Sequence, residues 1–336
     1  MKKYLITIDG GTTNTRAALW NEKKELQFAV KSEVGVKDTA QEGTNDRLKK
    51  AVKSMIEEVM QYGSITYDEV SSIYACGMLT SNLGIHEVPH LTAPAGLEDY
   101  AMGVKEVLIP EICPVPIGFI PGMKNLSEKI CMDNLEMMDI MRGEETETVA
   151  LMDLYPENEV LYVLPGSHTK FVSVNKEGKM TGCLTSMAGE LISILTNYSI
   201  LADAVKKQFA SETYNREMLL AGGRKTWKTG LSRAAFLIRI VNQFITDDPE
   251  ACASFLLGTV LAEDIRAVKS SGALTATKDM KVIIAGKEPL RSALKDLFLE
   301  DGTFKEVSIF NNEKNTLLSG YGMCVIAEKR SREIKL

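Results

Sequence analysis

Hydrophobic residues along this chain come in short blocks, each ended by glycine or by a polar turn. Residues 4–8 are an apolar run that stops at Asp9-Gly10-Gly11, which predicts a buried strand entering a turn. A second strand is predicted over 15–20, so the two form a hairpin whose loop is rich in glycine and threonine. Leu48, Val52, Met55, Ile56 and Val59 recur at helical spacing and predict an amphipathic helix over 45–62. A short strand at 72–75 closes on Gly77. The stretch 89–121 carries many prolines and glycines and reads as irregular, with a brief strand at 107–109. A helix is predicted over 144–153, after Gly143.

The opening pattern then returns. Residues 160–164 predict a strand, 165–169 a turn and 170–174 a second strand. Helices are expected near 191–207, 233–244 and 251–268, a late strand at 282–285, and a closing helix over 315–329. Strands and helices alternate in both halves, which predicts the α/β class. The repeat is architectural and has no short period, so a solenoid is not expected. The division falls near 145–158 and gives domains 1–150 and 151–336, with a return of the chain to the first domain left open at its end.

Composition narrows the function classes. The chain has 336 residues, 45% hydrophobic and 25% charged, enough for two domains that each bury a core. The net charge of −6 and the lack of a basic stripe argue against nucleic acid as a partner. No run approaches the roughly 20 apolar residues of a membrane span, and residues 1–8 lack the pattern of a signal peptide. A cytoplasmic protein is therefore expected. Its six cysteines contain no C-x-x-C pair and read as free thiols. The three histidines are too dispersed for a metal site. Asn125-Leu126-Ser127 and Asn197-Tyr198-Ser199 fit the glycosylation pattern, which has no meaning without secretion.

Five segments carry candidate chemistry. In the first hairpin, Gly10, Gly11, Thr12, Thr13 and Asn14 suit an anion-binding concavity of backbone amides, and Asp9 at the strand end suits Mg²⁺. The plain alternative is a glycine-rich β-hairpin. Around Gly166, Ser167, His168, Thr169 and Lys170 a second such hairpin is expected, although His168 also suits a loop and Lys170 a strand start. Each hairpin opens one half, so together they can grip a nucleotide's phosphates from two sides. Neither G-x-x-x-x-G-K-[ST] nor G-x-G-x-x-G occurs. Asp139 to Thr146 is dense in charge: Arg142 offers a fork for a carboxylate or phosphate, and Asp139, Glu144 and Glu145 are candidate bases. Acidic residues at a helix start are also simply favourable with its dipole. Gly77, Met78, Ser81 and Asn82 form a polar loop suited to a hydroxylated substrate. Ala285-Gly286 at a strand end suits an adenine ring against the backbone, or ordinary packing.

Together these segments resemble the 2-dehydro-3-deoxygalactonokinase family over most of the chain. The resemblance rests on Asp9 to Asn14, on Gly77, Met78, Ser81, Asn82 and Gly84, on Met141 to Thr146, on Pro165 to Lys170, on Gly189-Glu190-Leu191 and on Ala285-Gly286. Residues 40–46 and 211–228 match loosely. The resemblance implies two actin-like (ribonuclease H-like) domains around a central nucleotide cleft. It implies ATP with Mg²⁺ as donor and the terminal hydroxyl of a sugar acid as acceptor, in galactonate breakdown. It also favours Glu144 as the base, from the Gly-Glu-Glu context of related phosphotransfer enzymes. The partners expected are the sugar acid and ATP, without nucleic acid or membrane, and a homodimer is left open. The alternatives are a kinase for another keto-deoxy sugar acid or sugar, a phosphohydrolase of the same fold, and a non-enzymatic actin-like filament protein.

Overall fold

A computed structural model describes residues 3–126, 128–157, 159–312 and 317–333. The first half contains β1 (Tyr4–Gly10), β2 (Thr15–Asn21), β3 (Leu26–Ser32), α1 (Val36–Glu42), α2 (Asp46–Gly63) and β4 (Val70–Gly77). It continues through β5 (Leu91–Thr92), β6 (Ala95–Gly96), α3 (Leu97–Gly103), β7 (Lys105–Val107), β8 (Ile117–Phe119), β9 (Met123–Lys124), β10 (Ile140–Met141) and α4 (Glu144–Leu154). The second half contains β11 (Val160–Leu164), β12 (Thr169–Val174), β13 (Lys179–Ser186), α5 (Ala188–Tyr198), α6 (Arg216–Thr229), α7 (Leu231–Phe244) and α8 (Pro249–Ser270). It closes with β14 (Lys281–Ile284), α9 (Leu290–Asp301), β15 (Glu306–Ile309) and α10 (Leu318–Glu333).

The two main sheets repeat one design. Their orders are β3-β2-β1-β4-β8-β7 and β15-β14-β11-β12-β13-β6. In each, three antiparallel strands are followed by two parallel ones: β1 pairs β4 and β4 pairs β8, as β11 pairs β14 and β14 pairs β15. This is the duplicated actin-like, ribonuclease H-like architecture, in the α/β class. Alternation along the strands sorts the cores. Ile6, Ile8, Ala17 and Leu19 face α2 on one side of the first sheet. Leu161, Val163, Phe171, Val282 and Ile284 face the helices of the second half. The opposite faces share a third core, in which Tyr74 and Cys76 of the first sheet and Tyr162 and Val172 of the second meet Val149 of α4 and Met323 and Ile326 of α10. Helices α4 and α10 thus lie between the two sheets and pack on each other.

That shared core corrects the division at 150. The chain does return: α10 packs on β1, β4 and α3 of the first half. β6 pairs with β13 and so belongs to the second sheet. The segment before α4 is also fastened to the second half. The Asn125 amide donates to Cys183 O and Ala273 O and accepts from Cys183 N, and Glu136 accepts from Gly272 N.

Most predicted elements form, with shifted ends. The helix predicted over 191–207 stops at Tyr198. There the Ser199 hydroxyl bonds Leu195 O and accepts from Leu201 N, which ends the helical ladder, and Lys206 and Lys207 adopt positive φ. The strand expected at 107–109 lies at Lys105–Val107. Strands β3, β13 and β15 and helices α1, α3, α6 and α9 are additional to the predicted set. The start of the predicted closing helix and Ser127 of the first glycosylation pattern lie outside the described residues. All six cysteines are free.

Candidate active site

Between the halves lies a cleft of about 560 Å³, lined by both hairpins, the loop after β4, the β10–α4 junction and the start of α10. The hairpins are built alike. In the first, Gly11 O and Thr12 O accept from Val36 N and Lys37 N, the leading amides of α1. In the second, Ser167 O accepts from Glu190 N at the start of α5. Both contacts need a bare glycine. A Cβ on Gly35 would sit 2.5 Å from Thr12 O, and one on Gly189 would sit 2.2 Å from Gly166 O. With their carbonyls turned into the helix starts, the hairpins keep their amides free. No described acceptor takes the N–H of Thr12, Thr13 or Asn14, or of Gly166, Ser167 or His168. Successive free amides are what an anion such as a phosphate requires.

At the base of the first hairpin, Asp9 accepts from Ser319 Oγ of α10 at 2.8 Å and from Cys76 Sγ. Burial raises its pKa, against the pull of Ser319 and Arg16. Facing it is α4, whose entry depends on Gly143 at φ +119°, a conformation that disfavours any side chain. Glu144 lines the cleft and accepts from Arg142 N at 3.1 Å. One turn on, Glu147 lines the same wall, and burial together with Asp9 and Glu144 pushes its pKa up to about 8. Asp9, Glu144 and Glu147 line one cleft, but among the described residues no group of three acidic, histidine or cysteine side chains is placed to hold a metal ion by itself, so a hard divalent cation there would need further oxygen donors such as a nucleotide's phosphates. Glu147 is absent from the sequence-based candidates. Its three-residue spacing from Glu144, which puts both on one helix face, is the signal that marks it.

Several predicted residues have other work. Glu145 is fully buried, accepts from Gly143 N at 2.7 Å, and has its pKa pushed up to about 8 by burial and Glu144. It does not line the cleft, so it is not the base. Asp139 is also removed from that role, because its carboxylate accepts from Ile140 N, Thr185 N and Thr185 Oγ1 and ties β10 to β13. Thr169 is buried and points away from the cleft toward Asp264 of α8, so it is no phosphate donor. Ala285 is buried, and Gly286, at φ +104°, packs on Pro165 of the second hairpin.

On the acceptor side, Met78 and Asn82 line the cleft, and the Asn82 amide has no described partner. Ser81 also lines it, but its hydroxyl donates to Met78 O at 2.7 Å. Gly77, at φ +68°, sets the loop and packs on Gly10 O. Arg142 lines the cleft, and both terminal nitrogens of its guanidinium bond the loop. It donates to Thr80 O at 2.6 Å, to Thr80 Oγ1, to Val88 O at 3.1 Å and to His90. The fork that the sequence offers for a carboxylate or phosphate thus props the loop. His90 can accept because burial and Arg142 push its pKa down to about 4, which leaves it neutral. Glu87 and His90 also line the wall and come from the stretch without periodicity. His168 lines the mouth and pairs with Glu190 at 2.9 Å.

Comparison with known proteins places this geometry. A family model described as 2-keto-3-deoxy-galactonokinase matches residues 9–313. The 2-dehydro-3-deoxygalactonokinase of Escherichia coli K12 is 28% identical over 265 residues, covering 79% of this chain and 76% of that one. A probable 2-dehydro-3-deoxygalactonokinase of Rhizobium meliloti is 24% identical over 60% of this chain and 59% of its own. Among solved structures, a Sinorhizobium meliloti protein provisionally named 2-dehydro-3-deoxygalactonokinase superposes with a TM-score of 0.75 at 19% identity, covering 98% of this chain and 99% of that one. The Clostridium difficile activator of 2-hydroxyisocaproyl-CoA dehydratase, which holds ADPNP, shares the fold at a TM-score of 0.50 and 8% identity, covering 99% and 98%. The matched span runs from Asp9 through both hairpins and the β10–α4 junction to beyond β15, and the chain belongs to the 2-keto-3-deoxy-galactonokinase family.

Proposed function

We propose that this enzyme transfers the γ-phosphoryl group of ATP to the terminal C6 hydroxyl of 2-dehydro-3-deoxy-D-galactonate, in galactonate catabolism. The observation that carries the reading is the matched pair of hairpins, each with three consecutive amides that no described acceptor takes, and each reaching one cleft, through Gly10 to Thr12 and through His168 and Lys170. Amides of the two loops hold the nucleotide's phosphates from opposite sides. Asp9 and Glu147 would hold Mg²⁺ together with the phosphates, and the ion would neutralise phosphate charge there. Met78 and Asn82 border the acceptor, with Arg142 keeping their loop in place. Glu144 accepts the hydroxyl proton as the new bond forms, and its bond from Arg142 N fixes the carboxylate for that task. The cytoplasm, where ATP is available, is the expected compartment, and no described helix is long and apolar enough to cross a membrane.

The deciding experiment is ADP release from MgATP with a panel of keto-deoxy sugar acids and plain sugars. Strong turnover confined to 2-dehydro-3-deoxygalactonate is expected. Preference for another acceptor overturns the substrate, and ADP formed without any acceptor overturns the transfer reaction.

A further inference from the structure

The cleft is rich in acid: Asp9, Glu87, Glu144 and Glu147 line it, against two cations, Arg142 and Lys170. A sugar acid brings one more negative charge into that setting. Arg142 cannot readily meet it, because both terminal nitrogens of its guanidinium already donate to the loop it supports. His90 is neutral. His168 lies at the mouth and already pairs with Glu190.

Lys170 differs in each respect. It stands at the foot of the second hairpin and is 7% exposed. Its Nζ donates to Ile140 O at 2.7 Å and to Thr185 Oγ1, both neutral acceptors. It makes no ion pair with a described carboxylate; Asp139 is reached only through the Thr185 hydroxyl. A buried ammonium with no direct counter-ion is costly unless an anion completes it, and a third N–H remains for one. The nucleotide's phosphates already have the hairpin amides and a divalent cation to meet them, so the acceptor's carboxylate is the anion left without a partner.

We infer that Lys170 is the residue that receives the carboxylate of the acceptor and so selects sugar acids over neutral sugars. This inference rests on the proposed reaction. Its bond to Ile140 O also puts the anchor beside the strand that leads into Glu144, so a carboxylate held there orients the far hydroxyl of the same molecule toward the base.

The test compares wild type, Lys170→Met and Lys170→Gln with two acceptors. One is 2-dehydro-3-deoxygalactonate; the other is its decarboxylated analogue, the 2-deoxypentose of the same configuration. Gln keeps a donor for Ile140 O and serves if the Met variant does not fold. Expected is a rise of about 30-fold or more in KM for the acid, from loss of a charge-assisted bond. KM for MgATP stays within about twofold, and kcat/KM for the analogue changes less than about threefold. Equal losses with both acceptors, or a weakened MgATP, would assign Lys170 to the phosphoryl group and overturn the inference. Absence of wild-type activity on the acid would overturn the reaction itself, before any variant is scored.

Discussion

Glu144, Glu145 and Glu147 lie within one turn of α4 and meet different surroundings. A helix advances by 100° per residue, so Glu144 and Glu147 share the cleft wall while Glu145 turns into the core. Glu144→Gln should lower turnover by about 10²–10⁴-fold while leaving the KM for MgATP nearly unchanged, which steady-state kinetics will read. Near-normal turnover would reject Glu144 as the base. The same geometry explains what was legible. The hairpin residues Gly10 to Asn14 could be read because their chemistry is contiguous. Glu145 shares the charge-dense segment with Glu144, but neighbours on a helix face different ways. Thr169 and Lys170 divided likewise, since neighbours on a strand face opposite sides. Asp264 sets a second residue-level expectation. Burial pushes its pKa up to about 7, from an ordinary 3.8, against the pull of the Ser186 and Thr169 hydroxyls. Between those values the folded state holds a proton that the unfolded state lacks, so this group's contribution to stability falls as pH rises and levels off above about pH 7. Asp264→Asn should therefore raise Tm at pH 8 and do so much less at pH 5. Equal shifts at the two pH values would refute the burial argument.

At the scale of elements, the recurring unit is a hairpin braced on the first turn of a helix. The pairing of Gly189 with Gly166 O is close enough that Gly189→Ala must move α5 or the hairpin. A stability loss of about 1–3 kcal/mol is expected, with KM for ATP raised roughly tenfold and KM for the sugar acid affected less. Thermal melts and paired kinetics would show it, and an unchanged KM for ATP would mean that the hairpin tolerates displacement. The sequence carried a Gly-Glu-Leu match at this point but no reason for it, because the reason is a contact across 23 residues of chain. Similar limits hid β3 and β15, whose polar and apolar residues are only partly sorted by burial. The partners of Arg142, Thr80, Val88 and His90, come from a loop with no periodicity to place them, so its propping role is not legible in the sequence.

Across the whole molecule, the halves are joined by a shared core and by the strap before α4. Asn125 is the clearest fastening, since its amide serves Cys183 and Ala273 of the second half. Asn125→Ala should cost about 2–4 kcal/mol, because it leaves those buried backbone groups unpaired. Denaturant melts would measure it; a loss below about 0.5 kcal/mol would mean that water replaces the amide. The strap also bears on closure. Asn125 and Glu136 are both bonded to the second half, so a narrowing of the cleft that kept those bonds would have to bend the chain outside them, near Pro121 and Gly143.

The bond from Ser319 to Asp9 spans 310 residues. During synthesis at about 5–20 residues per second, the strand bearing Asp9 emerges roughly 15–60 s before the helix that covers it. For that interval the inner face of the first sheet, with Trp20 and Tyr74, has no α10 against it, and Asp9 has no Ser319. Until α10 has formed, the apolar inner face of the first sheet and the Asp9 carboxylate lack the cover that the folded protein gives them.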